Sequence, residues 1–541
     1  MLNLFGAKPD HPMYNLNEAR RLLSELPQDK PQKALNDITF WLVSIRDAQG
    51  FRPEARGAII MLMDETAQPL QEELLRQYLS EPRLQDFQGL RQWQYIHAFS
   101  KALIGAYAEC VNECRQANTR KNPEQTALLC VRLLHAATEQ MKLELMRYID
   151  VDPSVWQTLC ECYSFAEAGQ YAETMVTAYP GQIVRTSPQR ELVRALMLYI
   201  SSPETLAADQ IEMSYRITGR MADFLDFKAA ANTACPYQFD LSANAPPQRA
   251  SNGQQATAGM RFFGAVRALP AVATIIDQNG TDPVWQERRF TSEYTPAGKL
   301  TLLKHLLTYW AQEPPRRHQE RSGISTHIEI THGFRVISQV VAHIEPGHLA
   351  DTAQEALQQK ECAKLTLVAD QNIDYTAETW AVTDASLSGI GATLPKDMGA
   401  WIKIGNLCGI RTKNGQPWWI GMVRRLRTEA GGTINVGIEV LAKKPASVWL
   451  RALGKDTEKA SNWETSSGSF KYSYLPAILL PDKHNSYLNA TLLMESGSYV
   501  RGNIYHAMME ENSRDLKLTR LIAEGEDYEQ IGFEWLAGSN A

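Results

Sequence analysis

The chain reads as a multidomain α+β protein: an N-terminal all-α region of helical hairpins, a small β-barrel, and a second C-terminal β-rich domain. Three observations predict this. Apolar residues recur at intervals of three and four from about residue 15 to 227. Beyond Arg321 the apolar period becomes two. The run Val436-Gly437-Ile438-Glu439-Val440-Leu441 returns in altered form as Ile531-Gly532-Phe533-Glu534-Trp535-Leu536, which predicts that the last domain is a degenerate copy of the barrel. At 541 residues the chain is too long for one hydrophobic core. The expected division is residues 1–227 helical, 228–313 linker and helical connector, 314–450 first barrel and 470–541 C-terminal β domain.

The helical region is justified by its stripes and its breakers. Leu22, Leu23 and Leu26 begin one stripe, Ile38, Trp41, Leu42 and Ile45 a second, and Ile59, Ile60, Met61 and Met63 a third. Prolines at 27, 31, 53, 82, 123, 153, 180, 188 and 203 break the pattern at intervals that suit helical hairpins. Asp152-Pro153 and Ser187-Pro188 read as helix starts, each with a capping side chain and proline as the first helical residue. Val155, Trp156, Leu159, Tyr163, Ala166, Tyr171 and Ala172 carry the cadence of a tetratricopeptide-like hairpin. Such a region packs or docks a partner.

From Asp240 to Gly259 the composition turns to Ala, Ser, Asn, Pro, Gln and Gly, which reads as a loop or linker. Helical pattern returns at 265–276 and 296–312 and stops at Pro314-Pro315. Strands are then expected from Ile324 through Val340, with Phe334, Val336 and Ile337 extending the first. A helix is expected at about 349–360. Further strands are expected at 380–382, 392–394, 401–404, 409–412, 418–424 and 433–441. Lys413-Asn414-Gly415 and Gly431-Gly432 are turn signals. Short strands with frequent turns favour a closed barrel, which leaves no exposed edge. After a polar stretch at 455–469, β pattern resumes at 472–480, 488–494, 499–508, 516–522 and 531–536.

Composition excludes several classes. A net charge of −6 argues against a whole-chain nucleic-acid binder. No window approaches about 18 uninterrupted apolar residues and the N-terminus has no basic-then-apolar leader, so neither membrane insertion nor export is expected. Eight cysteines without a C-x-x-C pair read as small buried hydrophobes of a reducing, cytoplasmic protein. His327, Glu329 and His332 lack a further ligand for a metal and read as a strand face. No phosphate-cradling or nucleophile motif is present, so no catalytic residue, metal or cofactor is assigned.

Two polar clusters remain. Arg316, Arg317 and Arg321 follow the proline break and precede a strand, unlike the helical pairs Arg52/Arg56, Arg190/Arg194 and Arg216/Arg220. A guanidinium fork suits phosphate and can stack on or bridge a guanine. Asp384-x-Ser386-x-x-Gly389 lies between two strands, where an Asx- or Ser-turn would use the glycine for positive φ. The same turn offers a carboxylate for guanine N1–H and amino donors, a hydroxyl, and open backbone.

The arginine pair, the Asp-x-Ser-x-x-Gly turn and the closing Val-Gly-Ile-Glu-Val run resemble a PilZ domain, the cyclic di-GMP receptor module, over about residues 314–441. The resemblance implies a bacterial signalling effector, not an enzyme, whose ligand is cyclic di-GMP. It implies Arg317 and Arg321, flanked by Arg316, on the phosphates and guanine faces, with Asp384, Ser386 and Gly389 reading a guanine. The two motifs stand further apart here than is usual in that family. The C-terminal copy lacks both motifs and is not expected to bind the same ligand. An unidentified protein partner, reached through the helical region or the C-terminal domain, would carry the output to motility, pili or biofilm. The competing expectation is a constitutive protein–protein scaffold whose barrel has lost its ligand.

Overall fold

The computed structural model describes residues 9–80, 87–116, 122–250, 257–277, 296–313, 315, 322–342, 377–386, 388–395, 398–412, 417–429, 431–453, 474–482, 486–509 and 512–536. The chain divides into two compact units, 1–317 and 318–541.

In the first unit the helices α1 (Leu16–Ser24), α2 (Pro31–Asp47), α3 (Pro53–Ser80), α4 (Phe87–Gln116), α5 (Pro123–Met146), α6 (Pro153–Ala168), α7 (Pro188–Ile200) and α8 (Ala208–Arg220) follow one another. Proline is the first residue of five of them, where its missing N–H leaves no intrahelical bond unmade. Asn122, Asp152 and Ser187 each accept a backbone N–H from the turn they cap. The expected stripes are core: Leu23, Ile38, Leu42, Ile45, Ile59, Ile60 and Met63 are buried.

Helix α5 is the axis of this unit, packed by α4, α6, α7 and α8. Its charged side chains Arg132, Lys142 and Glu144 are therefore buried too, and each needs a partner. Arg132 donates to Asp64 and Glu65 at 2.8 Å, and Lys142 lies 2.7 Å from both Glu139 and Glu212. Burial alone would raise the Glu191 carboxyl, but the hydrogen bond from His135 and the charge of Arg194 hold it down at about 2.

One expectation fails here. Trp156, Leu159, Tyr163 and Ala166 form the buried face of the single helix α6, whereas Tyr171 and Ala172 sit in a non-helical connection closed by a Val176–Thr186 bridge. The cadence is thus one helix face and not a two-helix repeat. The stretch 240–259, read as a loop or linker, is in its described residues a loop that carries one short strand. It joins neighbours of a four-stranded sheet, β1 (Asp226–Lys228), β2 (Tyr237–Asp240), β3 (Gln248–Arg249) and β4 (Met260–Gly264), in the order β1-β4-β2-β3. Helices α9 (Leu269–Asp277) and α10 (Pro296–Tyr309) follow, and Trp310 anchors the latter by donating its indole N–H to Ser201 Oγ at 2.9 Å.

The second unit holds two closed six-stranded barrels. The first is built from β5 (Ser322–His332), β6 (Glu378–Ala385), β7 (Gly389–Leu394), β8 (Leu407–Thr412), β9 (Trp419–Thr428) and β10 (Ile434–Ala442). The second uses β11 (Ala446–Leu453), β12 (Leu475–Leu480), β13 (Thr491–Glu495), β14 (Ile504–Met508), β15 (Ser513–Glu524) and β16 (Tyr528–Trp535). Read around the wall, the first runs β10-β7-β6-β5-β8-β9 and the second β16-β13-β12-β11-β14-β15, the same order strand for strand. The sequence reading carried the first barrel to residue 450, but β11 is laddered to β12 and β14 of the second.

Residues Phe334 to Val340, expected as strand, are helix α11 (Phe334–Ala342). Gly333 at φ 85° turns the chain out of β5, and Phe334, Ile337 and Ser338 are then buried at helical spacing. Isoleucine and valine misled the reading, since their β preference yields to tertiary packing. Trp401 to Ile404, also expected as strand, is a turn between Gly399 at φ 73° and Gly405 at φ 91°. The Gly431-Gly432 turn joins β9 to β10, with Gly432 at φ 82°. The expected helix at 349–360 and the turn at 413–415 lie outside the described residues.

The barrels share a core. Phe334 and Ile337 of α11 and Leu407, Ile420, Met422 and Ala442 of the first barrel pack with Ile478, Leu480, Leu493 and Tyr528 of the second. At about 1.5–3 kcal/mol per buried large apolar side chain, this contact outweighs the exposed Arg335–Glu495 pair, worth about 1 kcal/mol at most. Tyr528 donates its hydroxyl to Gly405 O at 3.0 Å and the Phe334 N–H meets Asp527 Oδ2 at 2.5 Å, so polar groups at the seam are paired.

Candidate ligand site

The β6–β7 hairpin carries Asp384, Ser386 and Gly389. Ser386 N–H donates to Gly389 O at 2.8 Å, its hydroxyl lies 3.4 Å from the same oxygen, and Val440 N–H donates to Ser388 O at 3.0 Å. Ser386 therefore closes the turn, and β10 pins it. Gly389 is not the turn's corner: it is the first ladder residue of β7, opposite Glu439. The expected positive-φ role gives way to strand pairing.

A register shift between Val382 and Asp384 leaves Thr383 extra in β6, which re-aims the residues that follow. Asp384 then stands opposite Gly391 of β7, Gly391 opposite Gly437 of β10, and Gly437 opposite Arg425 of β9. A Cβ on Gly391 would lie 2.5 Å from Asp384 Oδ1, and one on Gly437 would lie 3.0 Å from Arg425 Cβ. The carboxylate thus rests over one glycine and the arginine stem over the next. The two glycines, having no side chains, give the carboxylate and the arginine stem room to lie across the wall. Sequence reasoning did not single out Gly391, which stands opposite Asp384. The signal for Gly391 was present in Gly389-Ile390-Gly391, two glycines in a strand where either one weakens the sheet unless something must approach closely.

Arg316, Arg317 and Arg321 lie outside the described residues. The strand they lead into is described: β5 opens with Ser322 opposite Ala385 and Gly323 opposite Asp384. The backbone thus enters the barrel at the end that carries the turn.

Elsewhere on β5 the polar residues have other employment. Glu329 pairs with Arg411 at 2.5 Å, and the Arg411 guanidinium lies over Trp418. His332 stacks on Trp401 at 4.5 Å, and its pKa is lowered by burial. Glu378 accepts from both Trp380 and Trp401 indole N–H groups. Cys110, Cys160 and Cys408 are buried thiols pushed up to about 12 by desolvation, which leaves them protonated and unreactive at neutral pH.

Two family models match the chain. Residues 17–231 match the N-terminal domain of the cyclic-di-GMP receptor FimW, and residues 337–446 match the middle PilZ domain of the same receptor. The curated cyclic-di-GMP receptor FimW of Pseudomonas aeruginosa is 27% identical over 162 residues, 30% of this chain and 23% of that protein. The match thus spans less than a quarter of the relative's length. With its helical region and its first barrel each matching a successive domain of one receptor, the chain belongs to the PilZ-domain cyclic-di-GMP receptor family.

Proposed function

We propose that the chain is a non-enzymatic effector that binds cyclic di-GMP at the turn end of its first barrel. Asp384 accepts from a guanine edge, Ser386 and the backbone at Gly389 frame that base, and Arg317 and Arg321, flanked by Arg316, grip phosphates and guanine faces. The observation that carries this is the register of β5, whose first residues, Ser322 and Gly323, stand opposite Ala385 and Asp384. A doubly anionic ligand touching both would favour the arrangement in which the arginine segment lies against the turn, in proportion to its preference for that state. The change would pass to a protein partner through the helical region or the C-terminal barrel, in control of motility, pili or biofilm, in the cytoplasm. Among the described residues no helix is long and apolar enough to cross a membrane.

Calorimetric titration with cyclic di-GMP tests this. Wild type should give a saturable signal, and Arg321→Ala and Asp384→Ala should each weaken it at least 100-fold. No heat and no thermal shift with wild type would replace this reading with a constitutive scaffold.

A further inference from the structure

The three arginines of the first motif follow and precede anchored backbone, and only the downstream anchor belongs to the barrel. There, Ser322 and Gly323 stand opposite Ala385 and Asp384. Upstream, the chain is held on the four-stranded sheet of the first unit. Tyr237 of β2 and Arg249 of β3 are directly opposite each other in that sheet, so their side chains leave it on the same face. Tyr237 donates its hydroxyl to Tyr309 O at 3.0 Å, and Arg249 donates an Nη2–H to Pro315 O at 2.7 Å. Two cross-strand neighbours thus hold two carbonyls of one stretch of chain. The Tyr237 ring is buried and stacked on Phe263 at 5.7 Å, which fixes its hydroxyl, and Trp310 is buried beside the first carbonyl. Proline has no N–H, so its carbonyl is the polar backbone group by which Pro315 can be tied. Among the described residues, it is the last backbone group held before Arg316.

We infer that Arg249 is a positioning residue for the arginine motif, resting on the reading above: it fixes Pro315 and so fixes where the segment carrying Arg316, Arg317 and Arg321 begins. A segment tied at its start loses less conformational freedom when a ligand gathers its guanidiniums. Arg249 is exposed, where a substitution changes stability little, so its bond to Pro315 bears on placement more than on the fold. It acts through Pro315 and touches no ligand. The sheet of the first unit thereby contributes to affinity at a site built on the barrel.

The test titrates the full chain with cyclic di-GMP, comparing wild type, Arg249→Ala, Arg249→Lys and Asp384→Ala, with the unfolding midpoint of each unliganded protein measured alongside. Arg249→Ala should weaken binding about three- to tenfold and leave the unliganded midpoint unchanged. Arg249→Lys, which can still donate to Pro315 O, should restore the affinity. The loss in Arg249→Ala should persist at high salt, which screens a through-space effect of its charge. Unchanged affinity in Arg249→Ala, with binding lost in Asp384→Ala, overturns this inference and leaves the proposed function standing. A weakened affinity with a lower unliganded midpoint assigns Arg249 to the fold and also overturns it. So does a loss that high salt removes, or one that lysine fails to rescue, which would make the guanidinium itself a ligand contact. Absence of binding by wild type overturns both readings.

Discussion

The two barrels wind six strands in one order, yet use the same stretch of wall for opposite purposes. In the first, the β6–β7–β10 face carries Asp384 and two bare glycines. In the second, the corresponding β12–β13–β16 positions are Leu480, Thr491 and Gly532. Leu480 is 3% exposed and packs, with Ile478 and Leu493, against α11 and the first barrel. What is a polar face in one copy, where Asp384 lies over Gly391, is thus an apolar docking face in the other. A barrel wall has two sides, and the inner one fixes the fold: Val448, Leu450, Leu479, Leu492, Leu516 and Ile531 fill the second barrel as aliphatics fill the first. The outer side is left to vary, which is why a shared topology does not imply a shared function.

The comparison can be broken most forcefully at Leu480. Importing the first barrel's acid as Leu480→Asp buries an uncompensated carboxylate in the inter-barrel core. The unit should lose about 3–5 kcal/mol, read from urea unfolding of the full-length protein. A loss no larger than about 0.5 kcal/mol would mean that this face is not the docking face.

The opposite exchange sharpens the comparison. Gly391→Thr imports the second barrel's residue and sets a Cβ against the Asp384 carboxylate, at 2.5 Å from Oδ1. The carboxylate is the end of a side chain and can swing away, so the fold should survive with little change in thermal midpoint. Cyclic di-GMP affinity should fall about 10- to 100-fold, equivalent to about 1.4–2.7 kcal/mol. Retained affinity would show that the carboxylate does not need the bare strand.

The smallest effect is expected at the seam's polar contact. Tyr528→Phe removes the hydroxyl that donates to Gly405 O and should cost about 0.5–1.5 kcal/mol without touching ligand affinity. A change in affinity there would mean that the docked barrel communicates with the site.

Much of this was legible in the sequence because it depends on local period and local chemistry. The helical stripes, the proline starts at Pro153 and Pro188, the Gly431-Gly432 turn and the Gly437/Gly532 echo all needed only neighbours along the chain. The errors have one character. Phe334 to Val340 looked like strand because its aliphatics are β-branched, but the surface awaiting them lies between two barrels far apart in sequence. Gly389 was given the turn's corner because its ladder partner, Glu439, is 50 residues away.

The sequence by itself determined the helical N-terminal region, the change to β structure after it and the identity of the polar turn, since periodicity, breakers and short motifs act over a few residues. Only the tertiary structure decided that Asp384, Gly391, Gly437 and Arg425 form one row, and that Leu480 occupies the equivalent place in the second barrel. Strand register is set by how whole hydrophobic faces settle against one another, and a single residue of slip would have sent each of these groups to the other side of the wall.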